Sequence, residues 1–412
     1  GVPWVTGIAV AFSAAMAVVA NLLFPVNPLP KPTGPYAVGV RAFEIADASR
    51  PGVYLAKPDE PRRLLVRVWY PAQDVSGFKP APYFTAAETT STARSIGALV
   101  GFPEFFTYVS HVTTNSYIDA PLLAGAKDLP VVFYSHGYTS FLQQNTVLME
   151  ELASHGYVVF SVQHTYDSSD TAFLNGDVAP MDSGLQEMTE AVEDGRPSQA
   201  DALAGATPDA RLESALAFQE YALKVNDRIA TQSTPTWVAD RLFLHDTLED
   251  APPANVADIA AASNFKRVGE MGMSFGGAIS GEICMIDPRC GAGINLDGGN
   301  FPFTAFNLDV PAPFLMFHSD MAIMYRSMDR EVPEGTEARG FNEFSYERIG
   351  EAGQRDDVYR VQLKGAAHMG ISDFTLFIDP LVRAPLLGEG PADEIIGAQN
   401  AFVIGFFDKH LR

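Results

Sequence analysis

RVGEMGMSFGGAISGEICM, residues 267–285, changes character at its middle. Residues 267–273 read as a strand, and residues 275–285 as a helix that opens with Gly276, Gly277 and Ala278. Between them Gly272-Met273-Ser274-Phe275-Gly276 fits G-x-S-x-G, a turn so sharp that it strains the backbone at the serine and pushes Oγ outward. Small flanking residues are required because strand and helix backbones approach closely there. The helix N-terminus also directs unpaired N–H groups at any negative charge developing on that side. Ser274 is therefore the expected nucleophile. Glu270 does not fit, because a carboxylate inside a buried central strand is costly without a partner, and the local sequence offers none.

Working outward, residues 64–70 (LLVRVWY) form an apolar, β-branched run stopped by Pro71. Residues 129–135 (LPVVFYS) are apolar nearly throughout, the pattern of a strand covered on both faces, and end at His136-Gly137. A helix over 145–154, Gly156 and a strand over 157–162 follow. Strand, helix, strand in that order implies a right-handed crossover and a parallel sheet. Further strands are expected at 292–296, 313–318 and 359–363, and a closing helix at 398–410. The pattern is α/β: a mostly parallel, doubly wound sheet, which with the serine turn gives the α/β-hydrolase fold. Residues 166–262, rich in Asp, Glu, Ala and Pro, break the rhythm. They read as a helical insertion, with helices over 209–229 and 236–248, that either caps the site or packs peripherally.

A serine hydroxyl needs a base, and in this fold the chain order is Ser, then Asp or Glu, then His. His368 follows the last strand in Gly365-Ala366-Ala367-His368, whose small residues let the loop curl back. His410 is close to the terminus and His318 precedes the last strand. Asp297 and Asp320 both follow strands, and spacing mildly favours Asp320. Acyl transfer also needs two donors for an oxyanion. The N–H of Phe275 is one candidate and the N–H of Tyr138, after Gly137, the other. Phe141 and His136 are the candidate substrate contacts, with core packing for Phe141 and bracing of the loop for His136 as the alternatives.

The chain has 412 residues, 47% of them hydrophobic and 19% charged, enough for a large core. Fifty acidic against 28 basic residues give a net charge of −22, which argues against nucleic-acid partners. The two cysteines, Cys284 and Cys290, are either a small-loop disulfide or two buried thiols. Residues 4–24 (WVTGIAVAFSAAMAVVANLLF) carry no charge and are long enough to cross a bilayer, and a proline-rich stretch follows. A membrane anchor, a cleaved signal and a buried helix are the three readings. The expected organisation is residues 1–34 as hydrophobic segment and linker, then residues 35–412 as the hydrolase domain, membrane-anchored or exported.

Several stretches together carry a resemblance: VRVWYPA, the His136-Gly137 loop, LASHGYVVFSVQH, GMSFGGA, INLDGGNFP and GAAHMGISDF. In these the chain resembles the plasma-type platelet-activating factor acetylhydrolases and their bacterial lipase-like relatives. The resemblance implies a serine carboxylic ester hydrolase acting on a small ester or lipid. Its triad would be Ser274, Asp297 and His368, with oxyanion donors at Tyr138 and Phe275. It is the resemblance that selects Asp297 over Asp320. No metal or cofactor is implied, and none is suggested by clustered Cys or His. Met273 departs from the histidine often found before the serine, which leaves the particular lipid open. A polyester or dienelactone-type hydrolase with the same machinery, and a non-catalytic binding protein sharing the fold, are the competing expectations.

Overall fold

The computed structural model describes residues 24, 26–182, 213, 216, 217, 220, 228–299, 310–327, 331–332, 355–379 and 387–412. The hydrophobic segment 4–23, the expected helix over 209–229 except for a few positions, and most of residues 183–227 lie outside them.

A ten-stranded sheet organises the chain. Its strands are β1 (Ala37–Pro51), β2 (Pro61–Ala72), β3 (Pro80–Pro82), β4 (Thr113–Ile118), β5 (Leu129–Ser135), β6 (Val158–Gln163), β9 (Ser263–Met273), β10 (Cys290–Leu296), β11 (Phe314–His318) and β12 (Val358–Gln362). A separate hairpin pairs β7 (Thr171–Ala172) with β8 (Val178–Ala179). The order across the sheet is β12-β11-β10-β9-β5-β6-β2-β1-β4-β3. From β12 to β6 every pairing is parallel, whereas β2 runs antiparallel to β6 and to β1. This is the mostly parallel, doubly wound sheet of the α/β-hydrolase fold.

Alternation along the strands feeds two covered faces. On one, Val132, Val159, Met271, Ile294 and Leu315 pack with Leu148 and Leu152 of helix α1 (Thr146–Ser154) and Val403 and Phe407 of the closing helix. On the other, Val131, Phe133, Phe160 and Val268 pack with Leu244 and Leu248 of helix α2 (Thr234–Asp250). Each such side chain contributes about 1.5–3 kcal/mol when withdrawn from water. Helix α3 (Phe275–Ile286) joins α2 through a cluster containing Trp237, Val238, Ile279 and Ile283. The closing helix α4 (Ala392–Leu411) begins after Pro391, earlier than the apolar spacing indicates, with Asp393 and Glu394 in its first turn, where the dipole favours acids.

The described part of the expected cap thus includes α2, which covers the sheet face. That placement resolves Glu270. Arg241 of α2 meets it with Nε–Oε2 at 3.1 Å and Nη2–Oε1 at 2.5 Å, both side chains being 2% exposed. Arg241 also lies over the Phe133 ring at 3.7 Å.

Of the two cysteine readings the disulfide holds: Cys284 in α3 bonds to Cys290 in β10. The chain swaps from one side of β5 to the other after β6, so β5 and β9 lie side by side, with Ser135 opposite Gly272. Such a switch point opens a crevice at the strands' carboxyl ends, and the loops carrying His136-Gly137 and Ser274 both emerge there.

Candidate active site

Ser274 occupies φ 53°, ψ −121°, a conformation that ordinary residues avoid. The surroundings enforce it. Its N–H donates to the Leu296 carbonyl at 2.9 Å, tying the turn to β10, and its carbonyl accepts from the Ala278 N–H at 3.1 Å. A Cβ at Gly276 would collide with the carbonyl oxygens of Ser135 and His136, so only glycine lets α3 start this close to β5. The turn therefore presents Oγ at the crevice.

His368 arrives from the loop after β12. Its Nε2 lies 2.9 Å from Ser274 Oγ and its Nδ1 lies 2.7 Å from Asp297 Oδ2. The other oxygen of Asp297 accepts from the Ser319 N–H at 2.8 Å, which fixes the carboxylate plane. Asp297 itself sits at φ 59°, which aspartate tolerates better than most residues. Burial alone would depress the His368 pKa, but the hydrogen bond and negative charge of Asp297 outweigh it and raise the value above the ordinary imidazole value. The imidazole is 44% exposed on its side chain and Asp297 14%, so the acid is shielded while the base faces the crevice.

Asp320 does not touch the imidazole. Its N–H donates to Ala366 O at 2.7 Å, and its carboxylate accepts from the N–H groups of Gly365 at 3.0 Å and Ala322 at 3.1 Å. It fastens the base of the loop that carries His368. His410 lies at the end of α4 beside Tyr359, and His318 is buried at the end of β11.

The loop after β5 passes beside the serine, since a Cβ at Gly137 would lie 3.4 Å from Ser274 Cβ. Gln144 Oε1 accepts the Gly137 N–H at 2.8 Å. Among the described residues, neither the Tyr138 N–H nor the Phe275 N–H donates to another group of the protein. The Phe275 N–H is the first of its helix and has no acceptor within it. An apolar groove of about 520 Å³ adjoins this loop, with Phe24, Phe102, Phe105, Tyr138, Met369 and Phe374 among its walls.

The two candidate substrate contacts are both buried. Phe141 is 1% exposed and packs edge-on against Phe84 and Phe374, the arrangement of the core-packing alternative. His136 is fully buried, with Nδ1 2.6 Å from Gly137 O and Nε2 accepting the His164 N–H at 3.1 Å. Both ring nitrogens have protein partners, the arrangement of the loop-bracing alternative.

Residues that sequence reasoning missed hold this region together. Asp167 accepts from Tyr138 OH at 3.2 Å and Trp237 Nε1 at 3.0 Å, and its carbonyl accepts the Thr139 N–H at 2.7 Å. Asn145 Nδ2 donates to Ile371 O at 2.9 Å, and the Asp373 N–H to Gln144 O at 3.1 Å, coupling the His368 loop to the start of α1. The signal available was the run Gln143-Gln144-Asn145: polar residues directly before a buried helix. Among the described residues, no group of three or more His, Cys, Asp or Glu is arranged to hold a metal ion.

Comparison with known proteins agrees with the resemblance read from the sequence. The family model for platelet-activating factor acetylhydrolase, isoform II, matches residues 23–194. The chain is similar to the platelet-activating factor acetylhydrolases over most of its length. That enzyme from Canis lupus familiaris is 22% identical over 400 residues, covering 93% of this chain and 77% of the relative. A probable 1-alkyl-2-acetylglycerophosphocholine esterase from Arthroderma benhamiae is 23% identical over 401 residues, covering 90% of this chain and 82% of the relative. Among solved structures, a ferulic acid esterase from Streptomyces cinnamoneus superposes with a TM-score of 0.61 at 22% identity, covering 93% of each chain, which supports the fold. The expectation of a carboxylic ester hydrolase agrees with the names of these relatives. The family match ends before Ser274, so it covers the loop of His136 and Gly137 but not the serine, aspartate and histidine.

Proposed function

We propose that the chain is a serine carboxylic ester hydrolase working through Ser274, His368 and Asp297. The carrying observation is His368 bridging Ser274 Oγ at 2.9 Å and Asp297 Oδ2 at 2.7 Å, on a serine with positive φ. Oγ attacks the ester carbonyl carbon while His368 Nε2 takes its proton, and Asp297 stabilises the imidazolium. The N–H groups of Tyr138 and Phe275 hold the oxyanion. His368 then passes the proton to the departing alkoxide, leaving an acyl group on Oγ. Water repeats the sequence, releasing the acid and restoring Ser274.

The groove beside Tyr138 and Met369 suits an apolar acyl or alkyl chain. Names among the relatives support an ester of the acetylated ether phospholipid type. A neighbourhood rich in lipid is supported by Leu99, Val100 and Phe102, exposed on the rim of the same groove, and by the apolar segment 4–24. The Cys284–Cys290 disulfide supports an oxidising, extracytoplasmic compartment.

Hydrolysis of p-nitrophenyl acetate, butyrate and decanoate by the parent and by Ser274→Ala tests the reading. The variant is expected to lose about 10⁴-fold or more in kcat. Equal rates would return the protein to the ligand-binding reading, and the chain-length profile reports the reach of the groove.

A further inference from the structure

A second serine, histidine and aspartate are aligned behind the loop that carries Tyr138, and they are sealed from solvent. His164 Nδ1 lies 3.0 Å from Asp240 Oδ2, and His164 Nε2 lies 3.0 Å from Ser135 Oγ. Ser135 is 2% exposed and His164 and Asp240 are fully buried, so no substrate reaches them. We propose that His164 and His136 form a buried hydrogen-bond chain, anchored on Asp240, that locks the peptide between Gly137 and Tyr138 with its N–H facing the reacting centre. This rests on the reading of the Tyr138 N–H as an oxyanion donor.

Proton bookkeeping gives the chain a direction. The backbone N–H of His164 can only donate, so His136 Nε2, at 3.1 Å, must be unprotonated. The proton of a neutral imidazole then sits on Nδ1 and is donated to Gly137 O at 2.6 Å. Gly137 O also accepts the Ser140 N–H at 3.0 Å. A trans peptide is planar, with C=O and N–H pointing opposite ways. Fixing the Gly137 carbonyl inward, toward His136 and Ser140, therefore fixes the Tyr138 N–H on the other side.

His164 is held just as firmly. Asp240 accepts from Arg62 through Nε at 3.0 Å and Nη2 at 2.7 Å, and from Arg50 Nη1 at 2.9 Å. Arg50 also bonds Asp47, so two guanidiniums already balance two carboxylates without an imidazolium. Burial, reinforced by Arg62 and Arg241, pulls the His164 pKa down to about 4 against the opposing Asp240. Neutral His164 donates from Nδ1 to Asp240 and accepts at Nε2 from Ser135. The indole of Trp237 stacks on its ring at 3.8 Å and meets the His136 ring edge-on at 5.0 Å. His136, His164 and Asp240 are thus positioning residues, not catalytic ones.

The test compares His136→Asn with His136→Gln. Asparagine can place an N–H near the position of Nδ1 and keep the bond to Gly137 O; glutamine reaches the position of Nε2 and keeps only the bond to His164. Active sites are counted with a fluorophosphonate, and p-nitrophenyl butyrate kinetics are expressed per site. His136→Gln is expected to lose about 10²–10³ in kcat with KM nearly unchanged, and His136→Asn to recover at least about tenfold of that. Affinity for a trifluoromethyl ketone, which binds as the oxyanion, should fall in step with kcat. Equal kcat in the two variants, or a loss confined to KM, overturns the inference. If Ser274→Ala is inactive while His136→Gln matches the parent, only the peptide lock fails. An active Ser274→Ala removes the hydrolase reading, and the lock with it.

Discussion

Replacing Asp297 by asparagine should do far more damage than the loss of one charge implies, because the site dictates which way the amide turns. One oxygen of Asp297 accepts the Ser319 backbone N–H at 2.8 Å, and the other faces His368 Nδ1 at 2.7 Å. Asparagine has one acceptor and one donor end. The Ser319 N–H cannot become an acceptor, so the amide oxygen must face it and the NH₂ must face His368. Nδ1 then accepts, and the single proton of the neutral imidazole moves to Nε2. Nε2 is 2.9 Å from Ser274 Oγ and would donate to the hydroxyl instead of receiving its proton. A base in the wrong tautomer costs about 10⁴ in kcat, about 5.4 kcal/mol in the barrier. The assay is p-nitrophenyl butyrate hydrolysis per titrated site, with thermal unfolding to show that the fold survives. Asp320→Asn is the control. It breaks one backbone contact of the His368 loop, worth about 1–3 kcal/mol of stability, and leaves the tautomer alone. Activity of Asp297→Asn within about tenfold of the parent, or a larger loss in Asp320→Asn, would refute the reasoning.

The raised pKa of His368 places the acid limb of kcat/KM above the ordinary imidazole value of about 6.5, since the base must be unprotonated. Activity is lost as pH falls through that raised value, and Asp297→Ala should move the limb downward in whatever activity remains. In the core, Arg241→Met strands Glu270 and should cost about 3–5 kcal/mol in urea unfolding, while Arg241→Met with Glu270→Met should recover most of it.

The serine turn was legible because its requirements are local: a buried strand, small residues at fixed offsets, and a helix. The strand β1 was missed, although Val38 and Val40 face one core and Phe43 and Ile45 the other. Its alanines, Asp47 and Ser49 dilute the apolar pattern when both faces are only partly covered. The choice between Asp297 and Asp320 could not come from spacing, since both leave the carboxyl ends of adjacent strands, about 4.8 Å apart. What separates them is which way each carboxylate turns, and that depends on the N–H groups of Ser319 and Gly365. Arg62 meets Asp240 across 178 residues, and Arg241 meets Glu270 only because an insertion helix covers the sheet, so neither pairing has a local signature. Residues 4–23 stay an expectation, and among the described residues no helix is long and apolar enough to cross a membrane.

The two serine, histidine, aspartate sets, one at the crevice and one sealed behind its loop, show which variables decide whether such a chain reacts. The atoms are similarly spaced: 2.9 and 2.7 Å around His368, 3.0 and 3.0 Å around His164. The difference lies in charge and access. Asp240 is already neutralised by Arg62 and Arg50, so an imidazolium at His164 would gain little from it and would stand beside two cations. Asp297 meets the Ser319 N–H and the His368 imidazole and pairs with neither Arg62 nor Arg50, so its charge is available to an imidazolium. Ser135 is the last residue of strand β5, in the interior, whereas Ser274 stands on a strained turn at the crevice. Exposing Ser135 would therefore not create a second nucleophile, because its histidine is held neutral and unwilling to take a proton. Conversely, a cation placed against Asp297 should depress the His368 pKa and slow acylation even with every hydrogen bond intact.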